Sequence, residues 1–247
     1  MTYGISIRNP GNELVLSSDA RGLYCIGKGV LQGAVVQPSG NSAGIDPGRV
    51  CGYSVYRLTC PHPPVIALDL PLNKKVSVLS VTSVGAGQWD VKVHCGDTPD
   101  IRNIDQVEYQ LDIWGYGLAP TIAGRYGLAI FDKTGALAWD LTRDNPLFAR
   151  SFHSLDDSSV QAIPPLTRPV AVGLPSTDYI TDEFVSINRW AVRRSMGALN
   201  RTDATTIRGA IFTAQRYEYS NPGEPIEHAQ GTSYPANVFI VEGANLP

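Results

Sequence analysis

Four histidines are the first place to look for chemistry in this chain. His62 stands in Pro61-His62-Pro63-Pro64, a proline-set turn. His94 falls on the polar side of an alternating run and is expected to point outward. His153 and His228 sit among mostly polar residues read as loops. No His-x-x-x-His or His-Glu-x-x-His pair offers a helical zinc face, and no Gly-x-Ser-x-Gly elbow presents a nucleophile. Cys60, His62, His94 and Cys95 can be drawn as metal ligands, but their spacing matches no standard finger or ribbon. Asp156-Asp157, Asp140 with Asp144, and Asp182-Glu183 could supply the two acids that sugar hydrolysis needs. Such Asp-rich segments are far more often solvated turns. Gly27-Lys28-Gly29 and Gly85-Ala86-Gly87 read as turns without the remainder of a phosphate loop. No catalytic, cofactor-binding or metal-binding residue is assigned, and the chain is not expected to be an enzyme.

The charge balance narrows the partners. With 20 basic and 23 acidic residues, net charge −3 and no basic run, the electrostatic footprint of nucleic-acid binding is missing. Arg189 with Arg193-Arg194 is the densest basic group and reads as a solvated face. No apolar stretch approaches a membrane span. Met1-Thr2 runs directly into the first expected strand, with no signal peptide, so a chain made in the cytoplasm and staying soluble is expected. Cys25, Cys51, Cys60 and Cys95 all lie in the first half, and none forms a CxxC pair. Disulfides are not expected there, and Cys95 continues the apolar set Trp89, Val91, Val93 as a small core residue. What remains is surface. Tyr179, Trp190 and Tyr217 are possible surface-binding aromatics, with core packing as their plainer role.

The elements that must position these residues are strands. Gly (24) and Pro (18) are abundant and only 17% of residues are charged, which suits turns between strands better than helix faces. Alternation is clean over 107–113, 89–95 and 76–81, and 237–241 reads as a final strand. Residues 184–196 carry two patterns. Phe184, Ile187, Trp190 and Ala191 fit a helix that starts at Asp182-Glu183. The strand reading is preferred, because β-branched and aromatic residues are enriched there. Ile207–Tyr219 would then be its antiparallel partner, through the polar loop Asn200–Thr205. Gly115-Tyr116-Gly117-Leu118-Ala119-Pro120 reads as a linker.

One line is written nearly twice. Tyr3-Gly4-Ile5-Ser6-Ile7-Arg8-Asn9-Pro10-Gly11-Asn12-Glu13-Leu14 is echoed by Tyr126-Gly127-Leu128-Ala129-Ile130-Phe131-Asp132-Lys133-Thr134-Gly135-Ala136-Leu137 without a gap. Each copy reads as a β-hairpin, with Asn12 and Gly135 at equivalent places that tolerate φ > 0. Behind each copy follow a Pro-Val strand (Pro64-Val65, Pro169-Val170) and a Glu-Tyr strand (Glu108-Tyr109, Glu218-Tyr219). The expected fold is all-β. It consists of two tandem, duplicated antiparallel β-sandwich domains with little helix, 1–119 and 120–247, the first carrying an insertion near 37–49.

The hairpin line also carries a family resemblance. Tyr-Gly-[Ile/Leu]-x-Ile-x-[Asn/Asp]-x-x-[Gly/Asn]-x-Leu-x-[Leu/Trp]-[Ser/Asp], over residues 3–17 and 126–140, resembles the opening of small β-rich distal tail proteins of bacteriophages. Asn12 departs from the more usual Gly, so the second copy is the closer. The resemblance implies a virion component of the tail tip, baseplate or fibre attachment point, synthesised in the host cytoplasm. It also implies a homo-oligomer whose partners are other tail proteins or fibres. It transfers no catalytic residue and no cofactor. The alternative is a carbohydrate- or receptor-binding module that recognises a host surface glycan.

Overall fold

Alternating apolar residues separated by glycine and proline turns give strands throughout. The computed structural model describes residues 6–8, 10, 14–17, 22–35, 49–50, 52–96, 111–118, 127–142, 151–155, 160–162, 169–173, 178–186, 189–220, 236–242 and 246. In chain order the strands of the first half are β1 (Ser6–Arg8), β2 (Leu14–Ser17), β3 (Leu23–Lys28), β4 (Val30–Val35), β5 (Arg49–Val50), β6 (Tyr53–Thr59), β7 (Val65–Asp69), β8 (Lys75–Gly85), β9 (Gln88–Gly96) and β10 (Ile113–Leu118). The second half gives β11 (Ala129–Phe131), β12 (Leu137–Asp140), β13 (Ser151–Leu155), β14 (Val160–Ala162), β15 (Pro169–Gly173) and β16 (Asp178–Ser186). It ends with β17 (Arg189–Arg201), β18 (Thr206–Ser220) and β19 (Ala236–Glu242). The described residues contain no helix, and none is therefore long and apolar enough to cross a membrane.

Two large antiparallel sheets pack in a sandwich-like arrangement. The six-stranded sheet runs β13-β19-β15-β7-β10-β3, and the nine-stranded sheet runs β14-β18-β17-β8-β9-β6-β4, with β16 on β17 and β5 on β18. Between them lies the main core. Ile66, Leu68 and Ile113 come from the first sheet; Tyr56, Leu58, Val76, Val78, Val91, Val93, Cys95, Leu199 and Ile207 come from the second. Burying each such side chain contributes about 1.5–3 kcal/mol. The outer face of β7 and β10 is sealed too, by Ala67, Trp114 and Tyr116 against Leu23, Cys25, Val65 and Leu246.

The expected boundary between 119 and 120 does not divide the sheets. β7 pairs with β15 through Val170↔Asp69 to Gly173↔Ile66, and β8 pairs with β17 at Leu199↔Val76 and Asn200↔Lys75. Both large sheets therefore take strands from both halves. Outward from the β7–β15 seam the order is β10 then β3 on one side, β19 then β13 on the other. These are corresponding places: the Pro-Val strands at the middle, the last strand of each half next, and the first strand after each hairpin outermost.

Several expectations hold. Residues 184–186 and 189–196 are strand and not helix, though they belong to two antiparallel strands, β16 and β17, and not to the one expected; β18 is the antiparallel partner of β17, and 236–242 forms the final strand. Cys95 is buried. Residues 76–81 and 89–95 lie within β8 and β9. Residues 107–110, the 37–48 part of the insertion, Asn12 and Cys51 fall outside the described residues, as do Asp144, Asp156-Asp157 and His228.

Three readings are corrected. The proposed linker is not one up to Leu118: Gly115, Tyr116, Gly117 and Leu118 belong to β10, and the first three are buried. Its glycines serve close packing rather than a turn. A Cβ on Gly115 would lie 3.2 Å from Leu58 Cδ1, and one on Gly117 would meet Ile26 and Cys60. Gly27-Lys28-Gly29 is likewise no free turn. Gly27 and Lys28 end β3, and Gly29 is the single residue through which the chain passes from one sheet to the other. His153, read as a loop residue, lies in β13.

Candidate functional site

The nine-stranded sheet forks, and the fork is where the candidate residues gather. One edge of β17 belongs to β18 along its whole length. The other edge is shared: β8 holds only Leu199 and Asn200, while β16 takes Met196 back to Arg189. Beside Met196 and Ala198 pack Leu79 and Ala210, filling the crotch of the fork. Ser77 donates from its hydroxyl to the Gly197 carbonyl at 2.8 Å, tying β8 to β17 where their ladder ends. β5 pairs with β18 on its far side, through Gln215↔Val50 and Arg216↔Arg49. The branch is thus four strands wide, β16-β17-β18-β5.

Register decides which residues this branch brings together. Trp190 stands opposite Phe184 on β16 and Tyr219 on β18. Val192, two residues along, stands opposite Tyr217. Strand alternation therefore groups Trp190 and Tyr217 with Phe184 and Tyr219 on one face. Tyr179 stands opposite Ser195, at odd spacing from Trp190, and belongs to the other face. Two of the three aromatics singled out in the sequence are brought together and the third is separated. Phe184 and Tyr219 were missed as site residues. The alternation of Tyr217-Glu218-Tyr219 was visible, but only the pairing partner shows which strand they face.

The two hairpins form a second region of interest, and they match in detail. Ser6↔Ser17, Ile7↔Leu16 and Arg8↔Leu14 in the first become Ala129↔Asp140, Ile130↔Trp139 and Phe131↔Leu137 in the second, with a register shift at the same step. The second turn closes as expected, with Gly135 at φ 81°. Its Asp132 carboxylate accepts from Thr134 N at 2.8 Å, Thr134 Oγ1 at 2.6 Å and Ala136 N at 3.0 Å. This hairpin docks on the first half. Gly22 N donates to the Ala138 carbonyl at 2.8 Å, and Asp140 N donates to the Tyr24 hydroxyl at 2.6 Å. Asp140, one of the candidate paired acids, is buried, and its carboxylate accepts from the Thr142 amide and hydroxyl. It is a turn-closing residue. Leu128 and Phe131 remain 47% and 49% exposed.

The remaining chemistry-bearing groups are dispersed. His94 does not point to solvent. It is buried beside Gly52, whose carbonyl lies 2.9 Å from Nδ1, so that nitrogen carries the proton. The polar face of β9 is covered at this end, and burial pushes the His94 imidazole below its usual range. His62 is exposed in its turn, while Cys60, just past β6, and Cys95, in β9, are buried. Among the described residues no group of three or more His, Cys, Asp or Glu could hold a metal ion. Burial raises the Cys25 thiol, which works against a reactive thiolate. Arg57 and Asp90 form a two-pronged pair at 2.8 and 2.9 Å across β6 and β9, and this hydrogen bonding holds the Asp90 carboxyl below the usual range. Asp182 and Glu183 are consecutive on β16 and so alternate between its faces. No family model matches the chain, and neither a curated protein nor a solved structure does.

Proposed function

We propose that this chain is a structural protein of a bacteriophage tail tip or baseplate that joins tail components or fibres through its surfaces. The observation that carries the reading is the doubled hairpin. Both copies of the tail-protein-like motif keep one register and one shift position, 123 residues apart. On this reading the halves arose by duplication. The palindromic order of the six-stranded sheet supports that, since it is the order two copies would take about a two-fold axis. The product is a pair of interleaved copies rather than two tandem sandwiches. Its partners are other tail proteins, with a homo-oligomer in the particle. A specific contact of this kind buries at least about 1,000 Å² in total. Mass spectrometry and imaging of purified virions test the proposal: the chain is expected in assembled tails at a fixed multiple. Complete tail tips in particles lacking it would reject the idea.

A second reading is favoured by the rung Phe184–Trp190–Tyr219 with Tyr217 beside it. Aromatic residues suit the apolar C–H faces of sugars, and their register on neighbouring strands supports a carbohydrate- or receptor-binding role. A glycan array probed with the purified protein separates the two readings. Binding that survives in Trp190→Ala would count against the aromatic row.

A further inference from the structure

The nine-stranded sheet ends in β4, and β4 is an unguarded edge. Among the described residues its only ladder partner is β6. The strand is open to solvent. Val30 is 63% exposed, the most exposed large apolar side chain among the described residues. Gln32, Gly33 and Ala34 are exposed as well. A glycine has only main chain to expose, so at Gly33 the backbone itself meets water. A Cβ built on Gly33 would meet nothing within 4 Å.

Proteins blunt exposed sheet edges with charge, with proline or by keeping the strand very short. Val30-Leu31-Gln32-Gly33-Ala34-Val35 uses none of these devices. Three other outer strands are protected. β14 has three residues, and β16 carries Asp178, Asp182 and Glu183. β3 ends in Lys28, and the second hairpin docks beside its start, where Gly22 N donates to the Ala138 carbonyl.

The strand is also self-complementary. Its register on β6 steps from Leu31↔Tyr56 to Gly33↔Val55, so Gln32 is an extra residue, a bulge. Six residues thus fill five ladder places: Val30, Leu31, Gly33, Ala34 and Val35. A two-fold axis perpendicular to a sheet keeps each face on its own side, so it must pass through a ladder place that is opposite itself. Five places provide one, at Gly33. Antiparallel pairing about that axis sets Gly33 opposite Gly33, Leu31 opposite Ala34 and Val30 opposite Val35 of the second copy. Leu31 packs against the main core, and Ala34, two ladder places on, belongs to the same face. Apolar meets apolar on that face, and no charges are opposed on either.

We infer that β4 is a self-docking edge, through which two copies of this chain join their nine-stranded sheets into one. The inference builds on the homo-oligomer reading above by naming a contact for it, and it is tested in solution, independently of the virion. A ladder of five places buries less than the roughly 1,200 Å² at which stable complexes begin, so a reversible dimer is expected.

Sedimentation velocity of the full-length protein over a concentration series checks this, with a monomer–dimer equilibrium as the expected result. Gly33→Lys sets two ammonium groups opposite each other at the axis and is expected to raise the dissociation constant at least about tenfold. The fold has room for the change, because Gly33 is not one of the positive-φ glycines and the space around its Cβ is open. Gly33→Glu is expected to act alike through its carboxylates. Mixing the G33K and G33E proteins places opposite charges at the axis and is expected to restore the dimer, as a heterodimer. The proposal is overturned by a wild-type chain that stays monomeric, by Gly33→Lys dimerising as tightly as wild type, or by a mixture that stays monomeric.

Discussion

In the six-stranded sheet the strands of the two halves take fully matching places about the β7–β15 seam, whereas in the nine-stranded sheet the match about the β8–β17 seam is partial: β9 and β4 answer β18 and β14, but β5, β6 and β16 have no counterpart. There the second half supplies two long strands, 13 and 15 residues, and the extra partner β16 that forks the sheet. The first sheet is buried on both faces at β7 and β10. The second forks where β17 leaves β8 for β16. The contrast teaches where this sequence is constrained by packing and where it is free to differ. Shared order is complete in the sheet whose middle strands are enclosed, and it is interrupted where one half adds strands the other lacks.

The largest expected effect breaks the enclosed side. Trp114 is fully buried against Ala67 and Tyr116 on the outer face of the six-stranded sheet. Trp114→Ala removes that contact and leaves a cavity, at a cost of about 3–5 kcal/mol in urea unfolding. A loss under about 1 kcal/mol would show that the outer cluster is not sealed.

Next comes the join between hairpin and body. A Cβ on Gly22 would sit 2.6 Å from Trp139 Cε3, 2.8 Å from Cζ3 and 3.0 Å from the Tyr24 hydroxyl. A rigid indole cannot yield as a flexible chain end would. Gly22→Ala is expected to destabilise by about 1–3 kcal/mol and to loosen the docked hairpin. Faster hydrogen exchange at the Asp140 amide, which donates to Tyr24, is the local signature.

A smaller effect distinguishes pH windows within the nine-stranded sheet. His94 has a folded pKa below its ordinary value because it is buried, with Lys75 adding repulsion to the charged form. Its neutral form is favoured by the fold, so its contribution is fully present above about pH 6.5 and is lost as pH falls below that. Denaturant midpoints should therefore drop between pH 7.5 and 5, and the drop should shrink in His94→Gln. Asp90 titrates separately. Its lowered pKa gives stability that is lost only as pH falls through the carboxylate range. An unchanged slope in His94→Gln would assign the acid sensitivity elsewhere.

How legible the fold was follows from the same contrast. Hairpins, β8, β9 and the β17–β18 pair were readable because alternation and turn residues are local signals. The interleaving was not, because each half contains a full set of strands and nothing in its own sequence names the partner of β7. His94 was misplaced for a related reason. Alternation on β9 predicts two faces but not that the second is covered, here beside Gly52. Gly115 and Gly117 look like turn residues until Leu58, Ile26 and Cys60 are seen against them. At the branch, Tyr217 and Trp190 could be named but not grouped, since register is a property of two strands.

The smallest expected effect tests whether the two hairpins are equivalent in their energetics as well as their register. In the second, one Asp132 carboxylate oxygen gathers three donors from Thr134 and Ala136, while the backbone bond from Asp132 N to the Ala136 carbonyl closes the turn independently. Asn9 holds the equivalent place in the first copy, and an amide oxygen can accept the same bonds. Asp132→Asn should therefore be nearly silent, and Asp132→Ala should cost about 1 kcal/mol, the net worth of solvent-accessible hydrogen bonds. Exchange at the Ala136 amide should quicken in Asp132→Ala while exchange in β10 stays unchanged, because the side-chain bonds brace the turn and not the sheet. If Asp132→Asn proves as costly as Asp132→Ala, the charge itself matters, and the two hairpins share a strand register without sharing the chemistry of the turn residue.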